Sequence, residues 1–265
     1  MKSLNLILLS LCVAIGCAPK QADTGGSTGT TSASQASTTG STEPTTATTT
    51  TTDTTAPDKP EQKADPATIP ASLKHAAFDY YGLGNGKAMD LVLKTPDQPA
   101  RTGGVVAELE KVEGAKAFFK VVRSGALAKD LGDDSVMVDS TGVYMTGTSI
   151  GTISPEKFLA LPADLAPGKT WPLKTKVVRQ DGQEIQEDSV YKVEGVRDLT
   201  TKSGVQKALL VTSNGTAIVS QGGTKTTAKY QTKSWYVKGV GPVKIEISLT
   251  SPGKPTQTLT VEQSN

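Results

Sequence analysis

Side chains able to do chemistry are few in this chain, and most are carboxylates. Glu108 and Glu110 sit two apart on a predicted strand and so share one face, and a pair of acids held several ångströms apart over a sugar ring is the machinery of glycoside cleavage. Lys111 and Lys116 nearby give the same acids a plainer role as a solvated, charge-balanced face. Asp130, Asp133, Asp134 and Asp139 form an acidic cluster of oxygen ligands suited to calcium. Their spacing departs from the D-x-[DN]-x-[DN]-G loop, which favours a polar hairpin loop. The single histidine, His75, stands beside Lys74 ahead of the first predicted strand, where a solvated role is expected. A Ser-His-Asp triad would have to use His75, and nothing in the spacing brings a serine to it. No G-x-S-x-G, P-loop or clustered His and Cys pattern occurs, so neither a cofactor nor a metal site is expected.

The two cysteines, Cys12 and Cys17, both lie near the N-terminus. Lys2 followed by the apolar run from Leu4 to Ile15 reads as a secretory signal over residues 1–16. That run is shorter than the roughly 20 residues a membrane-spanning helix needs. Ala14-Ile15-Gly16-Cys17 resembles the lipobox of bacterial lipoproteins, with alanine in place of the more usual leucine. The resemblance implies cleavage before Cys17, acylation of its sulfur and new amino group, and attachment to a membrane through that residue. Ala18 after the cysteine then implies the outer membrane in a diderm cell, and otherwise the outer face of the plasma membrane. The rest of the chain has no cysteine, so an exported domain here must be held by its apolar core.

Charge argues against nucleic acid as a partner. Of 28 Lys and Arg, Lys2 belongs to the signal, leaving 27 against 26 Asp and Glu with no concentrated basic surface. Residues 17–64 form a lipidated N-terminus and tether. From Ala22 to Ala64 there is no Leu, Val, Phe, Tyr or Trp, so nothing offsets the backbone entropy of folding, about 1–2 kcal/mol per residue. Such a chain spans roughly 35–40 Å on average. O-glycosylation of its Ser and Thr hydroxyls is the alternative role for the composition.

The β-domain is expected over residues 65–265, and its patterning is that of strands. Val243, Ile245, Ile247 and Leu249 alternate with Lys244, Glu246, Ser248 and Thr250, the period of a half-buried strand. Further runs fall at 89–93, 105–112, 117–123, 135–139, 143–146, 176–179, 185–193, 208–212, 217–220, 226–237 and 258–261. Asp181-Gly182, Asn214-Gly215 and Gly222-Gly223 are read as hairpin turns. Ser154-Pro155-Glu156 opens a predicted short helix over 154–160. Landmarks recur in order: Gly86-Lys87 as Gly168-Lys169, and Lys111-Val112-Glu113-Gly114 as Lys192-Val193-Glu194-Gly195. Two similar units, about 76–150 and 160–262, are therefore expected, with the helix between them.

Gly168-Lys169-Thr170-Trp171 and the later run Ser234-Trp235-Tyr236-Val237-Lys238-Gly239-Val240-Gly241-Pro242-Val243-Lys244 resemble the landmarks of an uncharacterised group of bacterial envelope lipoproteins. The resemblance implies architecture and no chemistry. All-β strands with so few helices must curl or fold into layers, which predicts an antiparallel curled sheet, either a half-barrel or a sandwich. A curled sheet would resemble the half-barrel of periplasmic lipoprotein carriers, with Val105, Ala107 and Leu109 facing a hydrophobic ligand. The plainer expectation is that Trp171 and the 154–160 element fill that concavity. Function is thus expected to be non-enzymatic binding or scaffolding in the cell envelope, the alternative being a glycan hydrolase that uses carboxylates.

Overall fold

The computed structural model describes residues 65–202 and 204–264. Cys17, the stretch before it and the Ser/Thr-rich segment lie outside those residues. The strands are β1 (Met89–Thr95), β2 (Gln98–Glu113), β3 (Lys116–Arg123), β4 (Asp134–Asp139), β5 (Gly142–Thr148), β6 (Gly151–Ser154) and β7 (Phe158–Pro162). They continue as β8 (Thr170–Arg179), β9 (Glu184–Thr201), β10 (Gly204–Gln221), β11 (Thr224–Val237), β12 (Gly241–Thr250) and β13 (Gln257–Gln263). Two helices accompany them, α1 (Ala76–Tyr81) and α2 (Gly125–Leu131).

Hydrogen-bonded neighbours run β4-β3-β2-β1-β13-β12-β11-β10-β9-β8-β6-β5, and β5 pairs back onto β4. Twelve antiparallel strands therefore close a barrel, and β7 lies on β5 as a thirteenth. This corrects the expected half-barrel or sandwich. Twist accumulates along so long a sheet until its edges meet, and closure removes edges that would otherwise be left unpaired. One join links the ends of the described domain, where β1 meets β13 in the register Leu91↔Gln263 and Leu93↔Val261.

The alternation read for 243–249 holds, with all four apolar residues buried. Inside, α1 presents Ala77 and Phe78 to the upper core, and Phe78 meets Phe119 edge-on at 6.0 Å. Leu127 and Leu131 of α2 join the lower core with Leu93, Val177, Ile185 and Ile247. α1 and α2 thus plug the interior, α1 within one of its two apolar clusters and α2 within the other. Outside, β9, β11 and β12 show Gln186, Asp188, Lys192, Lys229, Lys233 and Glu246. A membrane barrel has the reverse polarity, since a charged side chain facing lipid costs about 2–4 kcal/mol at the midplane. No helix among the described residues is long and apolar enough to cross a membrane.

Two local expectations are corrected. The predicted 154–160 helix is absent: Ser154 ends β6 and Phe158 begins β7. Seven residues are too few to sustain a helix alone, whereas β5 offers ladder partners to Phe158 and Leu161. Asn214-Gly215 is mid-strand in β10, which joins the two runs expected at 208–212 and 217–220. The other two turn readings stand at hairpins, with Gly182 at φ 79° and Gly223 at φ 79°. Of the recurring landmarks, Gly86 and Gly168 precede β1 and β8, while Glu113-Gly114 ends β2 and Glu194-Gly195 lies within β9.

Candidate functional site

The interior of the barrel is the candidate site, and it begins with a strand whose pattern is inverted. On β9, Ile185, Glu187 and Ser189 point inward and are buried, whereas Val190 points outward and is 52% exposed. A carboxylate inside and a valine outside run against the energetics of burial, so something must compensate. The compensation is a cluster of hydroxyls. Glu187 Oε1 accepts from Ser189 Oγ at 3.0 Å and from the phenol of Tyr230 on β11. Thr175 stands opposite Glu187 on β8, and Ser213 and Thr232 share a hydrogen bond of 2.7 Å between β10 and β11.

Small residues make this meeting possible. Ser189, Gly215 and Tyr230 are in register across β9, β10 and β11, and Ala217 and Ala228 flank Glu187 in the neighbouring row. A Cβ at Gly215 would lie 2.5 Å from both Asp188 O and Ser189 Cβ. Gly215 is thus a point of close approach in a ladder. Burial pushes the Glu187 carboxyl up to about 7, against the pull of hydrogen bonds from Tyr230, Ser189 and Tyr191. Among the described residues no lysine or arginine pairs with it, so Glu187 holds or releases a proton near neutrality with hydroxyls as its partners.

Beside this cluster lie two small cavities. The larger, about 80 Å³, runs along β1, β2 and β3, with Met89, Leu91, Val105, Ala107 and Val121 on its wall and Lys87 and Arg123 at its margins. The smaller, about 50 Å³, is lined by Phe158, Leu159, Leu173, Tyr191, Ser234 and Tyr236. Tyr81, Pro242 and Ile245 belong to both and form the partition between them. Burial raises the phenols of Tyr81 and Tyr191 well above their ordinary range, and Tyr236 to about 12, so all three stay protonated donors. Neither lining contains an Asp or a Glu.

The closing run of the sequence holds the upper plug over these cavities. Gly239 N donates to Asp79 O at 2.8 Å and Asn85 donates to Gly239 O at 2.7 Å. Gly82, left-handed at φ 77°, ends α1 where a Cβ would lie 2.4 Å from Val240 O. Trp235 faces outward beneath the Lys244 ammonium, 5.1 Å from its ring centre. Trp171 is inside, stacked on Tyr191 at 5.3 Å with its indole N–H donating to Leu159 O at 3.2 Å.

The other residues singled out from sequence do not assemble into one site. Glu110 is the extra, exposed residue of a bulge between Leu109 and Lys111, and Glu108 lies opposite Lys120. The acidic cluster is spread over α2, the two-residue connection that follows and β4, and is not a hairpin loop. Asp130 ends α2 and pairs with Arg101 at 2.7 Å; Asp133 meets Lys120 at 3.1 Å; Asp134 meets Arg123 at 2.6 Å. Asp139 is at the far end of β4, where it accepts from Thr141. Burial pushes the Asp134 carboxyl above the usual range even with Arg123 beside it. His75 caps α1: its Nδ1 accepts from Phe78 N at 3.3 Å and its Nε2 contacts Asp139 O at 2.9 Å, tying the plug to the end of β4. That corrects the solvated role expected for it.

No protein-family model matches the chain, and no curated protein matches it. Among solved structures it is similar to a predicted lipoprotein of Parabacteroides distasonis, at 12% identity and a TM-score of 0.47 over 69% of this chain and 97% of that one. It is also similar to an exported protein of Bacteroides fragilis with a YmcC-like fold, at 12% identity and TM-score 0.45 over 67% and 93%. The hypothetical lipoprotein YmcC of Escherichia coli aligns over 77% of this chain and 98% of its own, at 12% identity and TM-score 0.30.

Proposed function

We propose that the chain is a lipid-anchored cell-envelope protein whose barrel acts by binding, and that what it binds is small and apolar. The observation that carries the binding reading is the pair of cavities that adjoin across Tyr81, Pro242 and Ile245. Their walls are aliphatic and aromatic with a few hydroxyl donors, the lining expected of a small-molecule site. Size sets the ligand class. An engineered apolar cavity of about 150 Å³ holds one benzene, so cavities of about 80 and 50 Å³ are each too small for a ring and only when joined past Tyr81 approach the size of a single ring or a short alkyl chain, well short of the acyl chains of a lipoprotein cargo. Glycan hydrolysis would need two acids flanking the substrate; Glu187 and Asp188 line a separate, wider pocket, but as successive residues of β9 they point to opposite faces of the sheet.

The anchor rests on Cys17 and the lipobox-like residues before it. One acyl chain gives marginal attachment, whereas two or more, at about 0.8 kcal/mol per buried CH₂, hold a protein firmly. Cys17→Ser should abolish labelling by radioactive palmitate and move the protein out of the membrane fraction; unchanged labelling would refute the anchor. Binding is tested by thermal unfolding in saturating benzene. At a hundredfold excess over Kd the stabilisation is about 2.7 kcal/mol, a rise of about 5–10 °C for a domain of this size, and an unmoved midpoint would refute the binding reading.

A further inference from the structure

Strand pairing lapses between β7 and β8. β8 is paired with β9 from Thr170 to Val178, but on its other edge it meets β6 only from Lys176 to Arg179. β7 lies beside the upper part of that edge and is paired with β5 alone. The facing edges, 158–162 and 170–175, thus carry no ladder. Among the described residues one side-chain hydrogen bond crosses the seam, from the Trp171 indole to Leu159 O at 3.2 Å; where the β6–β8 ladder begins, Thr175 Oγ1 donates to Ser154 O of β6 at 3.3 Å.

Directly behind the seam is the smaller cavity, to which β7 contributes Phe158, Leu159 and Ala160 and β8 contributes Leu173. Its inner wall is the Tyr81, Pro242 and Ile245 partition, beyond which the larger cavity begins. The helices are held more firmly. α1 and the loop after it are bonded to their surroundings through His75, Asp79 and Asn85, and α2 buries Leu127 and Leu131. Displacing either helix would break several contacts at once, whereas the seam opens on far fewer.

We propose that the seam between β7 and β8 is the lateral door to the barrel interior, through which a small apolar molecule enters, with β7 as the moving leaf and the Trp171 indole as its latch. This rests on the binding reading above. β7 is the leaf because it is five residues long and ladder-paired on one edge, while β8 is fixed along its length to β9. The ligand first meets the aromatic cavity with its Tyr191, Tyr236 and Ser234 hydroxyls, and reaches the aliphatic one when Tyr81 turns aside.

Fluorobenzene followed by ¹⁹F exchange spectroscopy on the purified full chain gives both affinity and exchange rate. Trp171→Phe keeps an aromatic ring and removes the indole donor. It should raise the entry and exit rates together by about tenfold, the worth of one hydrogen bond, and leave Kd within about twofold. Ala160→Phe, which fills the mouth, should slow exchange, and Lys238→Ala, which frees α1 from its contact at Asp79, should leave it unchanged. If the wild-type chain shows no saturable binding, the binding reading and the door both fall. If it binds but Trp171→Phe and Ala160→Phe leave the rates unchanged, or Lys238→Ala alone raises them, the site stands and the door is wrong.

Discussion

The phenol of Tyr230 on β11 reaches the carboxylate of Glu187 on β9 across β10, a strand that lies between them. It can do so because Gly215, next to Tyr230 in the ladder, has no side chain to occupy the space. Backbone pairing and a buried hydrogen bond are thus coupled across three strands.

Glu187 makes stability depend on pH in a definite direction. Its carboxyl is raised from 4.5 to about 7 in the folded barrel, so between those values the folded chain holds a proton that the unfolded chain has lost. The contribution is complete below about pH 4.5 and disappears as the pH rises through 7. With about 1.4 kcal/mol for each pH unit that separates the two values, it amounts to about 3 kcal/mol. Urea unfolding at pH 5 and pH 8 should show this loss in the wild type and a much smaller one in Glu187→Gln. Equal losses in both would assign the dependence elsewhere.

Gly215→Ala should destabilise by about 1–3 kcal/mol, since the added methyl meets the backbone and Cβ of the neighbouring strand and overpacks it. Gly222, in the β10–β11 hairpin, has open space around it, and only its φ of 55° opposes alanine. Comparing urea midpoints separates the two causes: Gly215→Ala should disturb the Tyr230 environment in near-ultraviolet circular dichroism, and Gly222→Ala should not.

Trp171→Ala should cost about 3–5 kcal/mol, because an enclosed indole stacked on Tyr191 leaves a cavity. Trp171→Phe should cost about 1 kcal/mol, close to its one hydrogen bond. Similar losses in the two variants would mean that the hydrogen bond, rather than the filled volume, dominates.

Arg123 and Asp134 are both buried and 2.6 Å apart. Arg123→Ala should be among the costlier changes, about 3–5 kcal/mol, because it strands a carboxylate in the core. The double variant Arg123→Met with Asp134→Leu should recover much of that loss in equilibrium unfolding.

How much of this was legible in the residues differs by element. Val243, Ile245, Ile247 and Leu249 declared both strand and inner face, because β12 has a uniform apolar phase. Asp181-Gly182 and Gly222-Gly223 gave true hairpins, but Asn214-Gly215 gave none. The same dipeptide that permits a turn also permits a close ladder, and only the partner strands decide. Glu187 escaped notice because β9 carries apolar residues on both phases, with Ile185 and Val193 inside and Val190 and Val196 outside. A phase fixed by Ile185 would have placed Glu187 inward. Closure itself depends on β13 finding β1, a pairing across most of the domain that no local pattern encodes.

That pairing orders events during synthesis. β1 waits for β13, so the ring stays an open sheet with two bare edges until the last strand has emerged, and loss of residues 257–263 would leave it so permanently. Conversely, joining residue 264 to residue 65, ahead of α1, by a flexible linker and reopening the chain at the exposed 221–224 hairpin should yield a circular permutant with the same barrel.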